Sequence, residues 1–506
     1  MSPRPEHLVP RRLRVGPRRA LVTAVAVALV VAVTVGNRWA PPTSELGYSP
    51  AAITRYPPTT PPPPPTTTTT TSTTTPPPPT TTVAPAPAPA VAPAAPAATQ
   101  PAAPPPPAPA TSASSTLANK LNALLFNTDS CLEVHNAAGQ LIYDHAGSNA
   151  LAPASTQKLL VAAAALKILG PTYRFVTKVE ATRQPVNGEV DNLWLVGGGD
   201  PVLDSPQYTS YLMQAPMAGG LPAVTTQLNI LSNELAAAGV KSVPDGIHGD
   251  DSRYDDTRSL PTWKPVYLSE GDVAPLGALE VNDGLQTWDP AADTSDPSAY
   301  AASVLAELAG TVGITTSQTA DGTAPAGAVV LASVSSPPLA DIVTEMLRNS
   351  DNTAAEMLVR EIDRAVGGPG TTADGVQVVM RTIASLGLPT AGLDLVDGSG
   401  LSPEDRVTCD TLAGALGLGT QPTFAVMSRL SVAGEYGTLV NRFLGTPAVG
   451  HLAGKTGNIG GVIGLVGRLT VGPPVTFSFL LNGPFNYATG ASYEDQLVAD
   501  LVSYSS

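Results

Sequence analysis

From residue 57 to about residue 116 the chain is written almost wholly in proline, threonine and alanine, beginning PPTTPPPPPTTTTTTSTTTPPPPTTTVAPAPAPA. Such a run cannot bury enough apolar surface to offset the entropy of ordering it, and its prolines favour extended polyproline II. Folding is therefore expected only downstream, in residues 117–506. Fully extended at about 3.1 Å per residue, the run reaches on the order of 190 Å, the dimensions of a stalk. Residues 37–116 are assigned to this stalk.

What lies upstream suggests what the stalk is attached to. Residues 1–19 form a basic tail carrying Arg4, Arg11, Arg12, Arg14, Arg18 and Arg19, followed by ALVTAVAVALVVAVTVG at 20–36, which has no charge. Seventeen residues at 1.5 Å rise span about 25 Å, the lower limit for crossing a bilayer. Basic residues stay cytoplasmic, so the expectation is a single-pass anchor with everything after it outside the cell membrane. The rival reading is a cleaved signal peptide and a secreted protein; NRWAPPTSEL offers no clean cleavage site for it.

Charge divides at the same border. Residues 1–116 carry eight basic and two acidic side chains; residues 117–506 carry nineteen and thirty-nine, a net −20. A domain this acidic speaks against nucleic acid as a partner, because phosphate binding needs a basic face. The five histidines show no ligand spacing, so neither a metal nor another cofactor is expected. Cys131 and Cys409 are the only cysteines, 278 residues apart. They are read as two separate buried thiols, with pairing as the alternative in an oxidising compartment.

The folded part reads as α+β. CLEVHNAAGQLIYDHAG alternates around AAGQ as a hairpin does. TQKLLVAAAALKILG is a helix ended by Gly170 and Pro171. PLADIVTEMLRNSDNTAAEMLVREIDRAV gives two helices with a polar break at 349–352. HLAGKTGNIGGVIGLVGRLTV and VTFSFLLNGP read as neighbouring strands, and YEDQLVADLVSYS as a closing amphipathic helix. Strands at both ends with helices between imply that the first and last segments share one sheet.

Three short patterns carry chemistry. The chain has seven lysines against twenty arginines, and because an ammonium can lose its proton where a guanidinium does not, Lys158 is a candidate for a titrating role. Lys158 follows Ser155 by three, which on a helix puts both on one face. Ser155, near a helix start, feels the positive end of the dipole. Serine is a poor nucleophile until an adjacent base takes its proton, and Lys158 is that base only when neutral. Burial or a second cation lowers its pKa; Lys455, in the Lys455-Thr456-Gly457 triplet expected to start a strand, is the candidate cation. Gly457 is read as letting a substrate backbone approach closely. Ser350-Asp351-Asn352 falls at the break between two helices, where side chains project into a cleft. Each pattern alone has a plainer explanation as a helix cap, a solvated lysine or a turn. S-x-x-K, S-D-N and K-T-G each once and in this order is the set found in penicillin-binding proteins and class A β-lactamases.

The chain thus resembles the serine penicillin-recognising acyl enzymes. More narrowly it is similar to the D-alanyl-D-alanine carboxypeptidase/endopeptidase family, the class C low-molecular-mass penicillin-binding proteins of peptidase group S13. LVGGGDPVL at 195–203 and DGSGLSPEDRVT at 397–408 match phrases typical of that group, and the 195 residues from Ser155 to Ser350 leave room for an inserted domain. The resemblance implies a transpeptidase-like fold, an antiparallel sheet flanked by helices, with catalytic domain 117–178 plus 330–506 and a strand-rich insert at 179–329. It implies trimming of peptidoglycan stem peptides, with β-lactams as inhibitors. Ser155 would be the nucleophile and Lys158 its base. Ser350 and Lys455 would pass a proton to the leaving amine, and Asn352 would hold Lys158 and the substrate amide. Thr456 would receive the terminal carboxylate, and the backbone N–H groups of Ser155 and Asn458 would form the oxyanion hole. Asparagine at 458 replaces a frequent threonine, but only its backbone is needed. Because substrate and domain are both anionic, recognition has to be local. The competing readings are a β-lactamase or esterase on the same fold, or a non-catalytic wall-associated module. The DGSG segment is expected to be a structural loop rather than part of the cleft.

Overall fold

The computed structural model describes residues 112–288 and 291–505. The basic tail, the proposed anchor at 20–36 and nearly all of the proline-rich segment lie outside them. Among the described residues no helix is long and apolar enough to cross a membrane.

Six strands build the sheet that carries the motifs. In spatial order they are Ser431–Val432, Leu452–Ile459, Val462–Leu469, Val475–Asn482, Asp129–Asn136 and Leu141–His145, every neighbour antiparallel. Asp129 pairs with Asn482, so the first long strand lies beside the last, as the pattern of strands at both ends implies. Asn136 and Leu141 flank the hairpin turn read from AAGQ. One face of the sheet is covered by Ser112–Leu125 and Tyr487–Ser505, whose Leu121, Leu497 and Leu501 pack on Leu465, Phe477 and Phe479.

Against the other face stands the helix Lys158–Ile168. All residues from Lys158 to Leu166 are buried, as expected of a helix apolar all round. Its run Ala162–Ala165 presents almost no side chain, which lets the helices Leu339–Asn349, Asn352–Ala365, Thr372–Ser385 and Cys409–Leu418 close around it into one core. Gly170, at φ +85°, and Pro171 end the segment. A second sheet of five strands lies at 176–335, in the order Thr319–Asp321, Gly246–Asp250, Asn192–Val196, Val176–Ala181, Val329–Ser335. It mixes parallel and antiparallel pairs and packs on helices Asn229–Ala237 and Pro297–Thr311 around a separate apolar cluster.

One expectation is corrected here. Cys131 and Cys409 are joined in a disulfide with Cα atoms 5.9 Å apart, not held as two separate thiols. Sequence distance hid the pairing. The helix opening at Cys409 packs on the sheet beside the Asp129–Asn136 strand, and Ser478 Oγ of the next strand donates to the Cys409 carbonyl at 2.9 Å.

Candidate active site

Ser155 sits on a single 3-10 turn, Ala154–Gln157, that runs straight into the helix beginning at Lys158. Ala154 adopts φ +47°, a left-handed conformation that costs an L-residue about 1–2 kcal/mol; such strain commonly marks functional turns. The turn is held by the Pro153 carbonyl, which accepts from Thr156 Oγ1 at 2.7 Å. It lies directly on the sheet because Gly457 and Gly464 have no side chains there. A Cβ on Gly457 would stand 2.7 Å from the Pro153 oxygen and 3.0 Å from Thr156 Cγ2, and one on Gly464 would stand 3.1 Å from the same methyl. Gly457 is therefore required for seating the serine's turn against the strand, a packing reason that differs from the expected clearance for substrate.

Lys158 is completely buried, yet its Nζ has three partners: Ser155 Oγ at 2.9 Å, Asn352 Oδ1 at 2.6 Å and the Ser399 carbonyl at 2.6 Å. As an ammonium it donates to all three. As a neutral amine it donates to Asn352 and Ser399, leaving its lone pair to face the Ser155 hydroxyl, the arrangement a general base needs. Burial pushes its pKa down to about 8, while Asp397, Glu356, Asp351 and Asp405 pull it upward. Burial, then, lowers this pKa, and the charges acting most strongly on it are carboxylates that raise it rather than the expected second cation.

Ser350 ends helix Leu339–Asn349 in the left-handed conformation, φ +61°, and Asp351 caps the next helix by accepting from the Ala354 amide at 2.9 Å. This break turns Ser350 toward the sheet and Asn352 toward the base. Lys455 lies in mid-strand within Leu452–Ile459, not at its start, and that strand packs on the Ala154–Gln157 turn. Its Nζ, also fully buried, donates to Ser350 Oγ at 2.8 Å and to the Thr456 carbonyl at 2.7 Å. Burial first, and then the charge of Lys158, push the Lys455 pKa well down. Two opposed ammoniums in one dry site hold one proton charge more readily than two. Thr456 Oγ1 donates to Thr438 Oγ1 at 2.8 Å, which lies 3.1 Å from Ser431 Oγ; that hydroxyl donates to the Arg348 carbonyl at 2.8 Å. The chain of hydroxyls is thus polarised away from Thr456. Asn458 follows in the same strand, paired with Ile463. All eight residues singled out in the sequence fall within this one region. Among the described residues, no group of three or more His, Cys, Asp or Glu is placed to hold a metal ion.

The profile of the D-Ala-D-Ala carboxypeptidase 3 (S13) family matches residues 127–293 and 286–503. The chain belongs to this family. It is accordingly a serine-type D-Ala-D-Ala carboxypeptidase. It is 32% identical over 456 residues to a D-alanyl-D-alanine carboxypeptidase of an Actinomadura species, covering 74% of this chain and 80% of that one. It is 33% identical over 356 residues to a carboxypeptidase of Mycobacterium tuberculosis, covering 68% and 74%. Penicillin binding protein 4 from Haemophilus influenzae, at 22% identity and TM-score 0.62 over 77% of this chain and 99% of its own, shares the fold.

In this carboxypeptidase the site also contains residues outside the three motifs. The segment Asp397–Ser402 is not a remote structural loop: its Ser399 carbonyl touches the base. Asp397 accepts from Gln157 Nε2 at 3.0 Å, the Gly400 amide at 2.7 Å, the Ser402 amide at 2.7 Å and Trp263 Nε1 at 2.8 Å. From the second-sheet region, the Asp272 carbonyl accepts from Asn352 Nδ2 at 2.7 Å. Trp263, Tyr267 and Leu276 pack on Ala154, Leu401 and Ile459. The quoted phrase DGSG was visible in the sequence; its contact with Lys158, 241 positions away, was not.

Proposed function

We propose that this carboxypeptidase works outside the membrane on peptidoglycan stem peptides through an acyl-enzyme on Ser155, and that β-lactams acylate the same oxygen. The observation that carries the reading is Lys158 Nζ held between Ser155 Oγ and two acceptors that aim its lone pair at the hydroxyl. Ser155 Oγ bonds to the carbonyl carbon between two terminal D-alanines as its proton passes to Lys158. The oxyanion is received by the backbone N–H groups of Ser155 and Asn458, each such donor contributing about 2.7–4 kcal/mol. The C–N bond then breaks, the leaving amine takes a proton through Ser350 and Lys455, and water later frees the acyl group.

The lysine pair gives this sequence its timing. With the site empty, the carboxylates around Lys158 draw the shared charge there. A substrate carboxylate arriving beside Lys455 and Thr456 favours the Lys455 ammonium instead, and Lys158 becomes the neutral base. For this contact Thr456 turns its proton from Thr438 to the carboxylate.

The Cys131–Cys409 disulfide supports an oxidising location, and the 20–36 segment with its preceding arginines supports a membrane tether on a stalk. The division into a catalytic unit, 117–178 with 330–506, and an insert, 179–329, belongs to the same proposal, as does added endopeptidase action on cross-links. The test is mass spectrometry of the protein with penicillin and with a synthetic muropeptide ending in D-Ala-D-Ala. The wild type gains a long-lived penicilloyl adduct on Ser155 and releases D-alanine, and Ser155→Ala does neither. Labelling of that variant refutes the nucleophile, and an adduct lost within a second favours a β-lactamase.

A further inference from the structure

Helix Asn352–Ala365 serves the base from one face with two side chains four residues apart. Asn352 touches Lys158 Nζ directly. Glu356, one turn on and fully buried, reaches it through another residue's backbone. Glu356 Oε1 accepts the amide protons of Gly398 at 2.9 Å and of Ser399 at 2.7 Å, and the Ser399 carbonyl accepts from Lys158 Nζ at 2.6 Å. Two glycines make the approach possible. A Cβ on Gly398 would lie 2.6 Å from Val359 Cγ2 and 2.9 Å from the Ala355 oxygen of that helix, and one on Gly400 would overlap the Ala154 carbonyl beside the nucleophile. The Gly400 amide is held by Asp397, so Ser399 is gripped on its N-terminal side by Glu356 and on its C-terminal side by Asp397.

We infer that Glu356 is a positioning residue for the acylation step: by fixing the Gly398–Ser399 peptide, next to the Ser399–Gly400 peptide that Asp397 holds, it places Ser399 so that its carbonyl orients Lys158 toward Ser155. Its role is acceptance of two N–H groups rather than charge. Burial, followed by the field of Asp397, pushes its carboxyl up to about 8. A glutamine in its place reproduces the acceptor oxygen, whereas an aspartate retracts it by one methylene.

The inference rests on the acyl-enzyme reading, and the experiment separates the two. The full chain and its variants are mixed with a fluorescent penicillin, and the limiting acylation rate and the apparent dissociation constant are resolved by rapid mixing. Glu356→Ala and Glu356→Asp are expected to lose about 100-fold in limiting rate, the scale of a displacement near 1 Å, with little change in the dissociation constant. Glu356→Gln is expected to keep the wild-type rate within about threefold. If Glu356→Ala fails to fold, the Asp and Gln pair decides. Wild-type rates in Glu356→Asp, or equal impairment of Asp and Gln, overturn the inference. Undiminished labelling of Ser155→Ala overturns the acyl-enzyme reading instead.

Discussion

Lys158 and Lys455 are both fully buried, but their two neighbourhoods differ in kind. Around Lys158 the partners converge from three segments far apart in sequence, and Asp397, Glu356, Asp351 and Asp405 add negative potential. Around Lys455 the two hydrogen-bond acceptors are a hydroxyl and a carbonyl, and the charge that shapes it is the other lysine. In the first region the carboxylates favour the protonated lysine; in the second, burial and the neighbouring charge disfavour it. In the proposed mechanism, identical side chains divide the work of base and anion receptor by environment.

The contrast breaks most decisively at the base. Lys158→Arg keeps the charge but cannot accept a proton, and should lower penicillin acylation by roughly 10²–10⁴-fold, the share of a general base. Near-normal labelling of that variant would mean that Lys158 acts only as a cation. Next in size, Lys455→Ala should cost roughly 10–100-fold in kcat/KM for a peptide with a free C-terminal carboxylate, the worth of a charge-assisted hydrogen bond. For the same peptide amidated at its C-terminus the loss should be smaller, limited to the proton relay through Ser350; an equal loss on both would remove the anion-receptor role.

The pH profile sharpens the comparison further. A base must be neutral, and burial holds Lys158 down to about 8. Acylation should therefore rise about tenfold per pH unit below that value and flatten above it. For substrates bearing the carboxylate the rise should begin at lower pH, because their charge stabilises Lys455 in its protonated form. Stopped-flow rates with the free and amidated peptides test this directly. The smallest effect belongs to Thr438→Val. Removing the acceptor that occupies the Thr456 proton should leave kcat unchanged and lower KM by about fivefold or less, the scale of one neutral hydrogen bond. A raised KM would show that the hydroxyl chain supports the carboxylate rather than competing with it.

Much of this site was legible before any folding was considered, because its defining relations are short. Ser155 and Lys158 stand three apart, and Ser350 and Asn352 flank a helix break that the polar residues announce. Lys455 to Asn458 follow along one strand. Even Glu356 had a local signal, lying four residues after Asn352 on the same helical face. The conformation of the nucleophile's turn was less accessible, since a left-handed Ala154 has no composition cue and is imposed by the sheet beneath and the Gly400 backbone above.

By itself the sequence settled the α+β class, the three motifs, their order and the room for an insert. Those follow from spacing along the chain, which local backbone geometry converts into faces and breaks. The pairing of Cys131 with Cys409, the seating of Gly457 against Pro153 and the arrival of Ser399 and Asp397 at the base were decided only in three dimensions. Each joins residues more than 200 positions apart, and such contacts depend on how helices and sheet pack rather than on any period the chain displays. The same packing removes water from two lysines and sets which of them carries the charge.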